Sequence, residues 1–180
     1  MIFTQSALAG AYTIEMTRME DERGFFARSY SAQEFAAHGL PADMPECSVS
    51  FNSRRGTLRG MHFQAAPHAE DKLVRCTAGA IFDVIVDLRA GSPTLRQWLG
   101  TELTSENRRS VFIPKGFAHG FITLSDASEV LYMISVPYAA GFERGVRWND
   151  PALAIEWPTD PVVISARDAA YPLLGATTIA

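Results

Sequence analysis

Four segments gather side chains able to move protons or bind anions: Asp21-Glu-Arg-Gly-Phe-Phe26, Leu58-Arg-Gly-Met-His62, Ile113-Pro-Lys-Gly-Phe-Ala-His-Gly120 and Ser165-Ala-Arg-Asp168, with Lys72, Tyr132 and Tyr138 between them. Strict strand alternation puts Arg59 and His62 on opposite faces, and a bulge at Gly60 brings both to one side. His62 is then either a general base, since imidazole titrates near neutral pH, or a hydrogen-bonded histidine without chemistry. Asp168 can orient an imidazole and raise its basicity; a plain surface turn is the alternative for Ser165-x-x-Asp168. Lys72 alternates with Val74 and Cys76. Facing inward it is desolvated and seeks an anion or a developing enolate; facing outward it merely begins a strand. Tyr132 and Tyr138 share a face of an extended segment, about 20 Å apart if it is straight and closer if Pro137 bends it. Arg23, Arg59, Lys72 and Arg167 are the cations suited to a diphosphate, because a guanidinium fork binds phosphate through two hydrogen bonds.

The elements that position these residues read as short apolar runs between Gly, Pro and polar turns, the pattern of an all-β barrel or sandwich. The expected strands are Ala11–Thr17, Phe25–Tyr30, Glu46–Ser53, Thr57–Gln64, Lys72–Thr77, Ala80–Arg89, Ser110–Ile113, Gly120–Leu124 and Glu129–Pro137. Ala78-Gly79 reads as the tight turn of a hairpin between two of them. Ile81 to Val86 is apolar on both faces apart from Asp83, which suits an inner strand. One helix is expected after the capping box Ser31-Ala-Gln-Glu34, stopped by Gly39, and a second helical turn at Ser105–Asn107.

At 180 residues, 47% hydrophobic and 20% charged, the chain is long enough for one domain over residues 1–180 with a sizeable core. A net charge of −4 disfavours nucleic acid, whose affinity comes from phosphate neutralisation, but permits a small anionic ligand at a local basic cluster. Cys47 and Cys76 form neither a disulfide framework nor a zinc spacing and suit a reducing compartment. No basic-then-apolar leader opens the sequence and no apolar run reaches the length of a spanning helix. The expectation is a cytoplasmic protein that uses neither membrane nor nucleic acid.

Pro114-x-Gly-x-x-His119 resembles the second half of the cupin signature, in which the histidine often binds a metal. The first half departs from it. Gln64 stands where a histidine is usual, so His62, Gln64, Glu70 and His119 would have to make the site, and a metal-free pocket is the expectation. Taken together, Arg23-Gly-Phe-Phe26, Leu58-Arg-Gly-Met-His62, Lys72-Leu-Val, Phe82-Asp-Val-Ile-Val-Asp-Leu-Arg89, Ser92-Pro-Thr94, Ile113-Pro-Lys-Gly-Phe-Ala-His-Gly-Phe121, Trp148-Asn-Asp-Pro151 and Ser165-Ala-Arg-Asp168 resemble the dTDP-4-dehydrorhamnose 3,5-epimerase family in order and spacing. The resemblance implies a double-stranded β-helix, or cupin jelly roll, in a homodimer without metal or organic cofactor, acting on a nucleoside-diphosphate 4-keto-6-deoxyhexose through an enolate. It implies His62 as base paired with Asp168, Tyr132 as acid on the opposite face, and Lys72 as the cation beside the enolate. It places Arg23, Arg59, His119, Glu143 and Arg167 against the ligand and Tyr138 on the base.

Three positions depart from that pattern. Arg28 stands where the family usually has Glu, and Cys47 and Val49 where it has a Gln-x-Asn pair. These positions serve the nucleotide half, so an altered sugar or base preference is expected. A single-centre epimerase, a related sugar-nucleotide isomerase and a non-catalytic sugar-nucleotide-binding cupin remain alternatives.

Overall fold

The structure, a computed structural model, describes residues 1–176. Its strands are β1 (Ile2–Gln5), β2 (Tyr12–Glu15), β3 (Arg18–Asp21), β4 (Gly24–Ala27), β5 (Glu46–Asn52), β6 (Thr57–Gln64), β7 (Lys72–Ala78), β8 (Ala80–Asp87), β9 (Trp98–Thr104), β10 (Ser110–Ile113), β11 (Phe117–Thr123), β12 (Ser128–Ile134), β13 (Glu143–Gly145) and β14 (Val163–Ile164). Two short helices, α1 (Ala32–Ala37) and α2 (Ala166–Ala169), interrupt them. One sheet runs β1-β2-β10-β7-β12-β5 and the other β13-β6-β11-β8-β9, with β14 parallel to β6; β3 and β4 form a separate ribbon. From β5 to β13 the chain passes from sheet to sheet at every step except β8–β9. That winding is a double-stranded β-helix, the jelly roll expected from the sequence.

The pleat sorts the side chains. Val74 and Cys76 of β7, Ile81 and Ile85 of β8, Phe117 and Phe121 of β11 and Val130 of β12 meet between the sheets. The alternate residues Val84, Val86 and Ala118 face the other way, under a cover of Leu153, Ile155, Trp157 and Leu174. α1 seals the outside of the first sheet by burying Phe35 against Ile14, Leu73 and Phe112. Its start is as expected, with the Ser31 hydroxyl accepting from the Glu34 amide; the Glu34 carboxylate reaches the Met1 amine instead of closing the capping box.

Two expectations are corrected. Ala78-Gly79 does not close a hairpin, because β7 pairs with β10 and β12 while β8 pairs with β11 and β9. It is a corner between sheets, where a side chain at position 79 would strike the Ser125 and Ser128 hydroxyls. Residues 105–107 form a turn, not a helix. The Asn107 carboxamide accepts from the Thr104 and Arg109 amides, and the Thr104 hydroxyl accepts from the Asn107 amide, so side chains satisfy the backbone that a helix would have used. Strands β1, β3, β9, β13 and β14 were not expected, being short or polar.

Gly60 sets the local geometry of β6. Register runs from His62 opposite His119 to Arg59 opposite Phe121, so three steps along β6 span two along β11, a bulge. Gly60 has φ +143°, and a Cβ there would lie 2.6 Å from the Gly120 Cα. A Cβ on Gly120 would lie 2.8 Å from the Arg59 carbonyl oxygen and 2.6 Å from the Met61 sulfur. Gly120→Ala is therefore expected to push the two strands apart, lowering stability by about 1–3 kcal/mol, read as a reduced urea midpoint with unchanged slope.

Candidate active site

A cleft of about 710 Å³ opens at one end of the sandwich. β5, β7 and β12 form one wall, β6 and β11 the other, and β13 and α2 close the side. Because the bulge restores both to one face, Arg59 and His62 line it together. His119, Lys72, Tyr132, Tyr138, Glu143, Arg167 and Asp168 line it too. Arg23 alone among the candidates lies elsewhere, on the tip of the β3–β4 ribbon, with its side chain 84% exposed and 2.5 Å from Asp21.

The His62 Nε2 lies 2.8 Å from the Asp168 Oδ1. A carboxylate only accepts, so Nε2 carries the hydrogen and Nδ1 is left as the basic nitrogen. The other oxygen, Oδ2, accepts from the Gly60 amide at 3.1 Å. Burial works to raise the Asp168 carboxyl, but the His62 hydrogen bond and charge and the Gly60 amide outweigh it and hold the group below its ordinary value. Ser165 caps α2 by accepting from the Asp168 amide, so the segment is a helix start and not a loose turn.

Across the cleft the other groups are also paired. The Lys72 ammonium lies 2.8 Å from Glu70, and Glu70 accepts from the Gln64 carboxamide, also at 2.8 Å. Gln64 in turn accepts from the Ala139 amide. Lys72 faces inward as the alternation with Val74 and Cys76 requires, and is nearly buried. His119 sits inside β11, which begins three residues before the strand expected from Gly120, with its Nε2 2.7 Å from Asp83. Its ring meets Tyr132 edge-on at 6.0 Å. Burial, then the charge of Asp83, push the Tyr132 phenol far above its ordinary value, so it stays protonated. The chain turns after β12, which brings Tyr138 back to the cleft, where its hydroxyl donates to Glu143.

Among the described residues no three of His, Cys, Asp and Glu group as a metal site. The donors of the metal alternative are otherwise engaged: His62 with Asp168, His119 with Asp83, and Glu70 with Lys72 and Gln64. His68 packs against Phe142.

Three contributors were missed, and the sequence offered Glu70 only as a metal ligand. Asp83, Glu70, Asn52 and Tyr171 hold His119, Lys72, Arg59 and Arg167 respectively. For Asp83 the signal was present, a lone carboxylate within the run Ile81 to Val86, otherwise apolar on both faces. The departing positions are also placed. Cys47 and Val49 are exposed on the outward side of β5, with Val49 at the cleft rim, and Arg28 is exposed near Glu34.

A jelly roll with a His–Asp pair on one side of the cleft, and a protonated phenol and a nearly buried lysine on the facing sheet, has the groups for acid–base chemistry of the isomerase kind. The dTDP-4-dehydrorhamnose 3,5-epimerase family matches residues 5–176. The dTDP-4-dehydrorhamnose 3,5-epimerase of Salmonella typhimurium is 44% identical over 97% of this chain and 96% of its own. A dTDP-4-dehydrorhamnose 3-epimerase of Streptomyces niveus is 41% identical over 89% of this chain and 78% of its own. The crystal structure of a dTDP-6-deoxy-D-glucose-3,5-epimerase from Legionella pneumophila with dTDP-4-keto-L-rhamnose superposes with a TM-score of 0.92 at 38% identity, covering 98% of this chain and 94% of that one. The chain belongs to the dTDP-4-dehydrorhamnose 3,5-epimerase family.

Asp168→Asn removes the charge that fixes the imidazole and is expected to lower turnover about 10²–10⁴-fold. The stability that ionised Asp168 contributes is present above the ordinary carboxylate range and is lost as pH falls through its lowered folded value. Thermal unfolding across acid pH should therefore show a shallower acid-side decline in the variant than in the native protein.

Proposed function

We propose that the protein is a cofactor-independent epimerase of a nucleoside-diphosphate 4-keto-6-deoxyhexose, one domain over residues 1–180 working in the cytoplasm. The observation that carries this reading is the placing of His62–Asp168 and Tyr132 on opposite sheets of one cleft. Inversion needs a proton to leave one face of a carbon and another to arrive on the opposite face. In a 4-keto sugar the C3 and C5 hydrogens flank the carbonyl. His62 Nδ1 takes one of them, the C–H electrons move into the ring, and the carbonyl oxygen becomes an enolate oxygen. Lys72 lies nearby as a cation in a dry site, where charge acts over short range at high strength. The Tyr132 hydroxyl then gives its proton to the other face and the ketone reforms. Because the phenolate is disfavoured there, Tyr132 regains a proton before the next turnover. Arg59, Arg167 and His119 hold the diphosphate end of the sugar, and Tyr138 with Glu143 the base. Among the described residues no helix is long and apolar enough to cross a membrane.

A second copy completes the assembly in this reading. Val49 and Phe51 are 57% and 58% exposed on the outward side of β5, and Met19 and Phe26 of the ribbon are 61% and 66% exposed. A homodimer covers these surfaces, and a partner's ribbon is the route by which an arginine at position 23 reaches a cleft. Phe51→Glu is expected to move the mass measured by light scattering from two chains to one; a native protein of one-chain mass at micromolar concentration removes the dimer from the reading.

Catalysis is tested by exchange in deuterated water with dTDP-4-keto-6-deoxyglucose, followed at C3 and C5 by NMR. Loss of both signals, abolished by His62→Ala, is the expected result. Tyr132→Phe should retain exchange by the base while product formation slows about 10²–10⁴-fold. Exchange at one carbon marks a single-centre epimerase, the activity named for the Streptomyces relative. Full turnover only with another nucleoside diphosphate is expected if Arg28, Cys47 and Val49 have changed base recognition. No exchange with any of them favours a binding protein.

A further inference from the structure

Tyr171 lies against two residues of the cleft, His62 and Arg167, and has no part in the proposed steps. Its hydroxyl oxygen accepts from the Arg167 Nε at 2.9 Å. Its ring meets the His62 ring edge-on, with centroids 5.7 Å apart. The Arg167 guanidinium carbon lies 5.8 Å from the same ring. The backbone is fixed as well. The Tyr171 carbonyl accepts from the Arg147 Nε at 2.7 Å, and the Pro172 carbonyl from the Arg147 amide at 3.1 Å. On its other side the ring lies flat against Gly145, where a Cβ would come within 2.5 Å of it. β13 thus presents a glycine at the one place where the ring needs room. Arg167 and Asp168 lie on α2, and Tyr171 directly follows its C-cap Ala170, so one short segment brings the arginine, the carboxylate and the tyrosine to the same spot.

We infer that Tyr171 is a positioning residue that ties the base to the phosphate-binding arginine, its ring backing His62 and its hydroxyl aiming Arg167. The inference rests on the epimerase reading for what Arg167 binds. Two physical needs are met by the arrangement. His62 is anchored at Nε2 by Asp168 alone, and its side chain is 38% exposed, so without a wall the imidazole pivots about that single hydrogen bond. Arg167 is an exposed side chain with many rotamers, and ordering it before a diphosphate arrives removes part of the entropy cost of binding. Burial, opposed by the Arg167 hydrogen bond and reinforced by the Asp168 and Glu143 charges, raises the Tyr171 phenol above its ordinary value, so it remains a neutral acceptor for the guanidinium.

The two contacts separate by substitution. Tyr171→Phe keeps the ring and loses the oxygen; Tyr171→Leu loses both. Steady-state kinetics on the 4-keto sugar nucleotide are measured beside calorimetric titration with dTDP and with inorganic pyrophosphate, and thermal melts report folding. For Tyr171→Phe the expected result is a KM, and Kd values for dTDP and pyrophosphate, raised about tenfold, with kcat within about twofold of native, the mark of lost uniform binding. For Tyr171→Leu a further fall in kcat of about tenfold is expected, so that the phenylalanine variant rescues turnover but not affinity. Equal loss of kcat in both variants, or affinities and KM unchanged in Tyr171→Phe, overturns the inference. A native protein inactive on the dTDP sugar refutes the substrate reading. The pyrophosphate titration still decides the link to Arg167 in that case: native and phenylalanine proteins binding alike, or neither binding, overturns it.

Discussion

The two oxygens of the Asp168 carboxylate hold the reacting corner of this protein together. One orients His62 and the other accepts from the Gly60 amide at the bulge of β6. The bulge puts Arg59 and His62 on the same face, and the amide it leaves outside the β6–β11 ladder has to find an acceptor, since an unpaired buried donor costs about 1–3 kcal/mol. A carboxylate from the C-terminal segment supplies it. That segment must therefore return across β6, which it does through β14, parallel to β6, and the Ser165 cap of α2. Further on, Asp150 accepts from the Leu174 amide and fixes the end of the segment. Strand irregularity, helix cap and base orientation are one arrangement seen from three sides.

The same economy governs the remaining charges. A cleft that excludes water strengthens every ionic contact and penalises every unpaired group. Lys72 is met by Glu70, itself steadied by Gln64, and His119 is met by Asp83. Each partner lies on the inner face of a strand or just outside it, where Val74, Ile81, Ile85 and Phe121 exclude solvent from the layer beneath. One oxygen of Asp83 has no hydrogen-bond partner among the described residues although it is buried. Its negative charge stands second to burial among the causes that raise the Tyr132 phenol.

Much of this was legible in the residues. Alternation with Val74 and Cys76 offered the inward setting of Lys72 as one of two, and Gly60 marked where a bulge would fall, because in both cases one strand's own periodicity carries the information. The partners were not legible. Asp83 and His119 are neighbours only through the β8–β11 register, and Gln64 and Glu70 only after the chain leaves β6 and turns back. The Ala78-Gly79 corner was misread for a related reason. A tight turn between two apolar strands looks the same whether the strands pair or part, and only the packing of two sheets decides that they part. Its own segment left Asp168 open between orienting an imidazole and a surface turn, because its helix is four residues long, too short for any periodic signal.

The placing of the departures follows from the same division of labour. His62, Lys72, His119 and Tyr132 stand on β6, β7, β11 and β12, strands paired on both sides, and β6 and β11 are locked further by the close approach of Gly60 to Gly120. A shift of a few tenths of an ångström there disturbs several ladders together, so those positions tolerate little change. Cys47 and Val49 lie on β5, the edge of its sheet, and Arg28 follows the separate β3–β4 ribbon. Tyr138 and Glu143 sit past the end of β12, on the bend and the short β13. Val49, Tyr138 and Glu143 line the cleft, so a substitution there alters what its rim touches without moving the inner strands, whereas Cys47 and Arg28 lie outside the lining. The architecture thus lets the rim of the cleft change while the arrangement of His62, Asp168, Lys72 and Tyr132 stays fixed.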